Sequence, residues 1–281
     1  MRILLRLMFV LMMATLPVAA QTYTFTTIDI PGAARTTVSG INSAGDMVGH
    51  YSNGNQNTHG FYYNSAAATF RKLDLPHSSN NAAYGINDAG EIVGTNYTSI
   101  QNGYRFLNNQ FRLLNVGALA NYASGVNTQG AIVGLYLDVC CDGNGYLFQA
   151  GALTTLDFPG GVSADASGLN DANIVVGSWH DSGGIAHGYQ WDAGTYTSID
   201  VPGATGTYAF GINSQNTIAG YFTDSAGSEH GFLLSNGSYT TVDVPGVRST
   251  FIFGINNSGS LVGQYDMNGK VHGFLAVPAS K

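Results

Sequence analysis

The chain of 281 residues carries a formal net charge of −7, 38 glycines, 11% aromatic residues and only 10% charged residues. Ten Lys and Arg spread thinly over that length supply no basic stripe for a phosphate backbone, so nucleic acid is not an expected partner. The many glycines, and the lack of Ala, Leu, Glu and Lys runs at a 3.6-residue period, point to an all-β chain rich in tight turns.

At the N-terminus, Arg2 and Arg6 flank a short charged start, Leu7 to Leu16 is apolar, and Pro17-Val18-Ala19-Ala20 places small residues before Gln21. This pattern predicts a secretory signal peptide over residues 1–20. The rival reading, a retained anchor, needs a run of ~20 apolar residues, and this one is shorter. No later segment is apolar enough to cross a membrane. The mature domain, residues 21–281, is therefore expected to be extracellular or periplasmic and not membrane-spanning.

From Tyr23 to Pro31 a single strand pattern stands outside any repeat, and six copies of one unit follow it. Each copy carries Gly-Ile-Asn or a near variant: Gly40-Ile41-Asn42, Gly85-Ile86-Asn87, Gly125-Val126-Asn127, Gly168-Leu169-Asn170, Gly211-Ile212-Asn213 and Gly254-Ile255-Asn256. The intervals are 45, 40, 43, 43 and 43 residues. Five residues after each of those glycines stands Gly45, Gly90, Gly130, Asn173, Asn216 or Gly259, residue types that tolerate a left-handed backbone. Each motif thus predicts a tight turn, with its Asn bonding the amides ahead of it. Nine residues after the first Gly comes another, Gly49, Gly94, Gly134, Gly177, Gly220 or Gly263, the mark of a second strand with a close backbone approach. A third strand is signalled by His59-Gly60-Phe61 and its counterparts at Asn102, Asn144, His187, His230 and His272. β-Branched runs such as Tyr239-Thr240-Thr241-Val242, stopped by Asp243-Val244-Pro245-Gly246, supply the fourth.

Four short antiparallel strands every ~43 residues is the period of a β-propeller blade. The last copy lacks a fourth strand, and the strand at Tyr23 is surplus at the other end. The expected fold is therefore an all-β, six-bladed β-propeller with four antiparallel strands per blade, its ring closed by the N-terminal strand.

Gly-Ile-Asn, Val-Gly, His-Gly-Phe and Asp-Val-Pro-Gly at this period, over residues 23–277, resemble the extracellular HAF-repeat family of exported bacterial repeat proteins. The chain has His-Gly-Phe where the family name implies His-Ala-Phe. The resemblance implies a secreted propeller-like repeat protein and no established activity.

The only two cysteines, Cys140 and Cys141, are adjacent. Neighbouring Cα atoms lie ~3.8 Å apart, whereas a disulfide wants ~4.4–6.8 Å. A bridge here would be a strained ring, and two thiols in a loop insertion are the alternative. No CxxC partner makes them a zinc site.

Four histidines, His59, His187, His230 and His272, occupy equivalent positions, which suggests metal or general-base work. Counting across the hairpins, however, sets His59 opposite Asp74, His187 opposite Asp200, His230 opposite Asp243, and His272 opposite Asp29 on the closing strand. In the other copies Asn102 lies opposite Asn115 and Asn144 opposite Asp157. Polar pairing persists where the imidazole does not, so these read as cross-strand pins on the outer strands. No metal or cofactor is expected. The loops at Asp181 and Asp224 lack the alternating acids of a calcium loop, and no nucleophile elbow, H-E-x-x-H pair or P-loop occurs.

What differs between copies is the better pointer to function. The connections from the fourth strand to the next blade, and from the second strand to the third, carry Arg35, Tyr122, Asp165, Trp179, Tyr208, Arg248 and Phe251. Neutral polar groups with aromatic platforms suit sugars or another protein's loops. The leading expectation is a secreted, monomeric propeller that binds a glycan or protein surface through its loop-rich face. The alternatives are a glycan-active hydrolase or lyase with acidic residues at the channel mouth, and a purely structural envelope protein.

Overall fold

The computed structural model describes residues 22–54, 57–76, 78, 80–97, 101–118, 120–138 and 143–279; the segment read as a signal peptide and Cys140-Cys141 lie outside the described residues. Strand β1 (Tyr23–Ile28) comes first, and then the blades follow in order. Blade one is β2 (Arg35–Ile41), β3 (Met47–Ser52), β4 (Thr58–Asn64) and β5 (Thr69–Leu73). Blade two is β6 (Asn81–Ile86), β7 (Ile92–Tyr97), β8 (Gln101–Leu107) and β9 (Gln110–Leu113). Blade three is β10 (Ala120–Val126), β11 (Ile132–Leu137), β12 (Gly143–Gln149) and β13 (Ala152–Leu156). Blade four is β14 (Ser163–Leu169), β15 (Val175–His180), β16 (Ala186–Asp192) and β17 (Thr195–Ile199). Blade five is β18 (Gly206–Ile212), β19 (Ile218–Thr223), β20 (Glu229–Ser235) and β21 (Ser238–Thr241). Blade six is β22 (Ser249–Ile255), β23 (Leu261–Met267) and β24 (Lys270–Pro278), with β1 as its outer strand.

The protein is a six-bladed β-propeller of four antiparallel strands per blade. β1 pairs with β24 from Tyr23 opposite Pro278 to Ile28 opposite Gly273, so hydrogen bonds between the two ends of the described chain close the ring. The segments from Arg35, Tyr122, Asp165, Tyr208 and Phe251 onward, expected to be connections, are instead the inner strands. Their residues alternate between buried and partly exposed, the strand period that their polar composition obscured.

Repeated glycines explain how six sheets fit around one axis. A Cβ on Gly85 would stand 2.8 Å from the Ser124 carbonyl oxygen and 3.0 Å from the Gly125 Cα, so neighbouring inner strands approach closer than a side chain allows. Just before that glycine the pairing with the second strand slips by one residue in all six blades. Such a bulge re-aims the extra residue. On the second strand, a Cβ on Gly220 would lie 2.0 Å from the Tyr208 carbonyl oxygen and 2.9 Å from the Phe232 ring. Phe232 and its counterparts Phe61, Tyr104, Tyr146, Tyr189 and Phe274 are at most 1% exposed. The second-strand glycine and third-strand aromatic are thus one packing device, which apolar residues of the next blade cover, as Leu233 and Val242 meet Ile252.

At the far end of the inner strands the motif asparagines form a ring. The side-chain amide of Asn42 donates to the Asn87 carbonyl (3.4 Å), Asn87 to Asn127 (2.8 Å), Asn127 to Asn170 (3.2 Å), Asn170 to Asn213 (3.2 Å), Asn213 to Asn256 (3.4 Å), and Asn256 back to Asn42 (3.0 Å). The Oδ1 of Asn170 accepts the amides of Ala172 (3.0 Å) and Ile174 (3.1 Å). The turn is closed by a residue with positive φ in every blade: Gly45, Gly90, Gly130, Asn173, Asn216 and Gly259.

Two outcomes follow. Replacing Asn170 with Ala leaves two amides and the Asn213 carbonyl without their partners, and should cost about 2–4 kcal/mol in urea unfolding; Asn170→Asp keeps the acceptor and should fall between it and the parent. A loss below about 0.5 kcal/mol would show that the ring is not cohesive. Removing residues 22–31 strips β1 from β24 and should lower the melting temperature by roughly 10 °C or more, whereas an unchanged melt would contradict closure by β1.

Candidate functional site

Because each bulge turns one residue toward the axis, the channel wall is built from the residue before the inner-strand glycine: Ser39, Tyr84, Ser124, Ser167, Phe210 and Phe253. They line an axial cavity of about 580 Å³ that also takes in Arg35, His50, Tyr51, Ser52, Thr58 and Gln264. Six aliphatic side chains, Ile41, Ile86, Val126, Leu169, Ile212 and Ile255, separate it from a smaller cavity of about 90 Å³ bordered by the asparagine ring. The larger cavity is therefore a cup with an apolar floor on the side of the Gly-Ile-Asn turns.

The wall is uneven around the axis. Across blades five and six the wall residues Phe210 and Phe253 meet edge to face at 5.1 Å; outside the lining, Tyr208 stacks on Tyr221 at 4.7 Å and Phe251 meets Tyr221 at 4.9 Å. Ser39, Ser124 and Ser167, with Tyr84 between the first two, offer small hydroxyls instead, and Thr37 donates to the Gln264 side-chain oxygen at 2.6 Å. At the blade-one corner the His50 ring lies 5.8 Å from Tyr84, whose hydroxyl contacts that of Tyr97. The His50 Nδ1 is buried with no partner. Burial, and then the Arg35 charge, push the imidazole down to about 4, so it is neutral near pH 7.

Four of the residues singled out in the sequence, Tyr122, Asp165, Tyr208 and Phe251, stand three positions before the inner-strand glycine of four successive blades. Asp165 accepts the Ser167 hydroxyl at 2.7 Å, and burial raises its carboxyl above the usual range. The Tyr122 hydroxyl donates to Gln101. Arg35 opens β2 on the rim of the cup, and Arg248, immediately before β22, lines a neighbouring cavity and donates to the Gly227 carbonyl at 3.3 Å. Trp179 is elsewhere: on β15 its indole lies between Phe158 (4.2 Å) and His187 (4.5 Å), both stacked, so neither face is open to a ligand. The sequence reading passed over the six bulge residues, His50, Tyr221 and Gln264. The signal for the first group was the position that switches between Ser and a ring ahead of a repeated glycine.

The four histidines at equivalent positions, His59, His187, His230 and His272, sit on the third strands and do not line the cup. His59 Nδ1 is 3.2 Å from Asp74, His187 2.7 Å from Asp200, His230 2.8 Å from Asp243, and His272 2.7 Å from Asp29. Each ring also rests against an aromatic of the second strand: Tyr51, Trp179, Phe222 or Tyr265. Asp224 reaches the other nitrogen of His230 at 3.3 Å, while its Oδ1 caps its own loop through the amides of Ala226 and Ser228. The Asp243 bond leads the causes that raise the His230 pKa. Among the described residues no group of three or more His, Cys, Asp or Glu is placed to hold a metal.

No protein-family model matches the chain, and no curated protein matches it. Among solved structures it is similar to a protein described as TolB of Agrobacterium tumefaciens, at 14% identity over 86% of this chain and 91% of that one, with a TM-score of 0.61. It is similar to TolB of Acinetobacter baumannii at 12% identity over 80% of this chain, spanning 60% of that protein, with a TM-score of 0.53. A third likeness is to the six-bladed lectin of Aleuria aurantia, at 9% identity over 91% of this chain and 99% of that one, with a TM-score of 0.50. At these identities the likeness is one of fold.

The two kinds of histidine should titrate in opposite senses. His50 is depressed when folded, so its contribution is intact above about pH 6.5 and is lost as pH falls toward about 4. Relative to His50→Gln, the parent should lose roughly 2–3 kcal/mol across that window. His230 is raised when folded, so its advantage over His230→Asn should be full below about pH 6.5 and fade as pH rises through the folded value. Denaturant melts of both variants between pH 4 and 8 read this directly, and parallel pH profiles for parent and variants would contradict it.

Proposed function

We propose that this chain is an exported, non-catalytic propeller of the HAF-repeat kind that takes a saccharide into the axial cup from its loop-rich face. The supporting observation is the wall of that cup. Tyr84, Phe210 and Phe253 present aromatic rings and Ser39, Ser124 and Ser167 small hydroxyls, and the lining among the described residues includes Arg35 and His50 but no Asp or Glu. Sugars offer apolar ring faces flanked by hydroxyls, which such a wall can stack and hydrogen-bond together. Glycoside hydrolysis instead relies on two carboxyl groups about 5–9 Å apart across the scissile bond. The fold is compatible with this use, since the Aleuria aurantia lectin of the same architecture recognises fucose.

The protein should bind a subset of a glycan array and leave the bound chains intact by mass spectrometry. Phe210→Ala and Phe253→Ala should each weaken binding about tenfold, ~1.4 kcal/mol, with the fold retained by circular dichroism. Cleaved chains would move the reading to a hydrolase or lyase. Silence across the array would move it to a protein partner.

A further inference from the structure

Beside the cup, and sharing Arg35 and Gln264 with it, lies a second cavity of about 530 Å³ lined also by Arg248, Phe251, Glu229 and Asp266. Two of the ten Lys and Arg of the chain place their guanidiniums on this one cavity, beside two carboxylates. Among the described residues neither one is in an ion pair, and Arg248 bonds only the Gly227 carbonyl, at 3.3 Å. Three other cations are occupied: Arg105 Nε holds Glu91 at 2.6 Å, Arg71 holds Asn109 at 2.8 Å, and Lys72 holds Asp74 at 2.7 Å. The two carboxylates of the second cavity are engaged by other groups. Glu229 accepts the Ser249 hydroxyl at 2.5 Å, and Asp266 accepts the Gly269 amide at 3.1 Å. The Gln264 oxygen is taken by Thr37, which leaves its NH2 group as a donor on a residue that borders both cavities.

We infer that this second cavity binds the carboxylate of a uronic-acid residue, and that the saccharide held in the axial cup is an acidic one that crosses the rim at Arg35. The inference rests on the saccharide reading above and names its class. A guanidinium fork matches a carboxylate in shape and charge, and two unpaired forks flank the space where one would sit. The remaining oxygens of Glu229 and Asp266 are acceptors, suited to the hydroxyls that a uronic acid carries beside its carboxylate. Two local carboxylates disfavour a dianion such as a phosphate monoester and leave a singly charged, hydroxyl-rich group as the fit. Phe251 borders the cavity as an apolar face for the sugar ring.

The test uses the mature protein against uronic-acid oligosaccharides, each paired with its carboxyl-reduced neutral twin, by titration calorimetry at low salt. The acid should bind at least tenfold more tightly than its twin. The preference should shrink in Arg35→Gln and in Arg248→Gln and vanish in the double variant, while Arg248→Gln, whose side chain lies outside the cup, leaves affinity for the neutral twin unchanged. Both arginines are exposed, so the fold should survive, and a melting curve checks it. Equal affinity for acid and twin, or a preference that persists in the double variant, overturns this inference and leaves the saccharide reading standing. Binding of neither member of any pair overturns both.

Discussion

Six asparagine side chains, each bonded to the backbone carbonyl of the next blade, impose one spacing on the whole ring. An Asn fits because it supplies a donor and an acceptor on one rigid amide. The acceptor shapes its own turn, and the donor reaches the neighbour. A carboxylate would lose the donor, and a hydroxyl is too short to do both. With the spacing set at that end, the inner strands lie so close that glycine is required where they pass, at Gly85 against Gly125 for example. Each such bond contributes only about 1 kcal/mol net, but these groups are buried, so breaking one leaves others unpaired in a place water does not reach readily.

The same constraint creates the site. A glycine that admits the neighbouring strand is preceded by a bulge, and the bulged residue has no ladder partner to satisfy. That residue is free to vary, and it does so between Ser and aromatic around the axis. Ladder pairing, turns and blade cores are left untouched by the change. Scaffold and wall are thereby decoupled: the glycine and asparagine repeat, while the position between strand and glycine carries the asymmetry. Tyr122, Asp165, Tyr208 and Phe251, two residues earlier on the same side of the strand, extend that asymmetry toward the mouth.

The blade count, the closing strand, the left-handed turn residues and the His–Asp register were all legible in the sequence, because each depends on local pairing and a fixed residue offset. His230 meets Asp243 because a two-residue turn at Asn236-Gly237 leaves no other register, and both turn residues take the positive φ it demands. The site was legible only in part. Tyr208 and Phe251 stood out as non-repeating aromatics, but their neighbours Phe210 and Phe253 lay inside what looked like repeat framework. Trp179 looked exposed because its cover is Phe158, which arrives from the previous blade. Contacts between blades are not encoded in any offset within a blade, so the residues at that seam were the hardest to assign.

The histidines separate along the same line. Those on the third strands sit beside carboxylates and on aromatic rings, and they recur because the pairing recurs. His50 occurs in one blade, faces the cup, and is held neutral by burial and by Arg35. A neutral imidazole with one nitrogen unpartnered costs stability; the equivalent positions carry Thr95, Leu135, Ser178, Tyr221 and Gln264, of which Thr95 and Ser178 also bury an unpartnered hydroxyl. Its neighbour Arg35 is similarly unpaired and similarly confined to blade one. A buried, unpartnered imidazole beside an unpaired guanidinium at the mouth of the axial cup is a poor choice for folding alone, and the blade-one rim is therefore a place where the chain departs from what its scaffold needs.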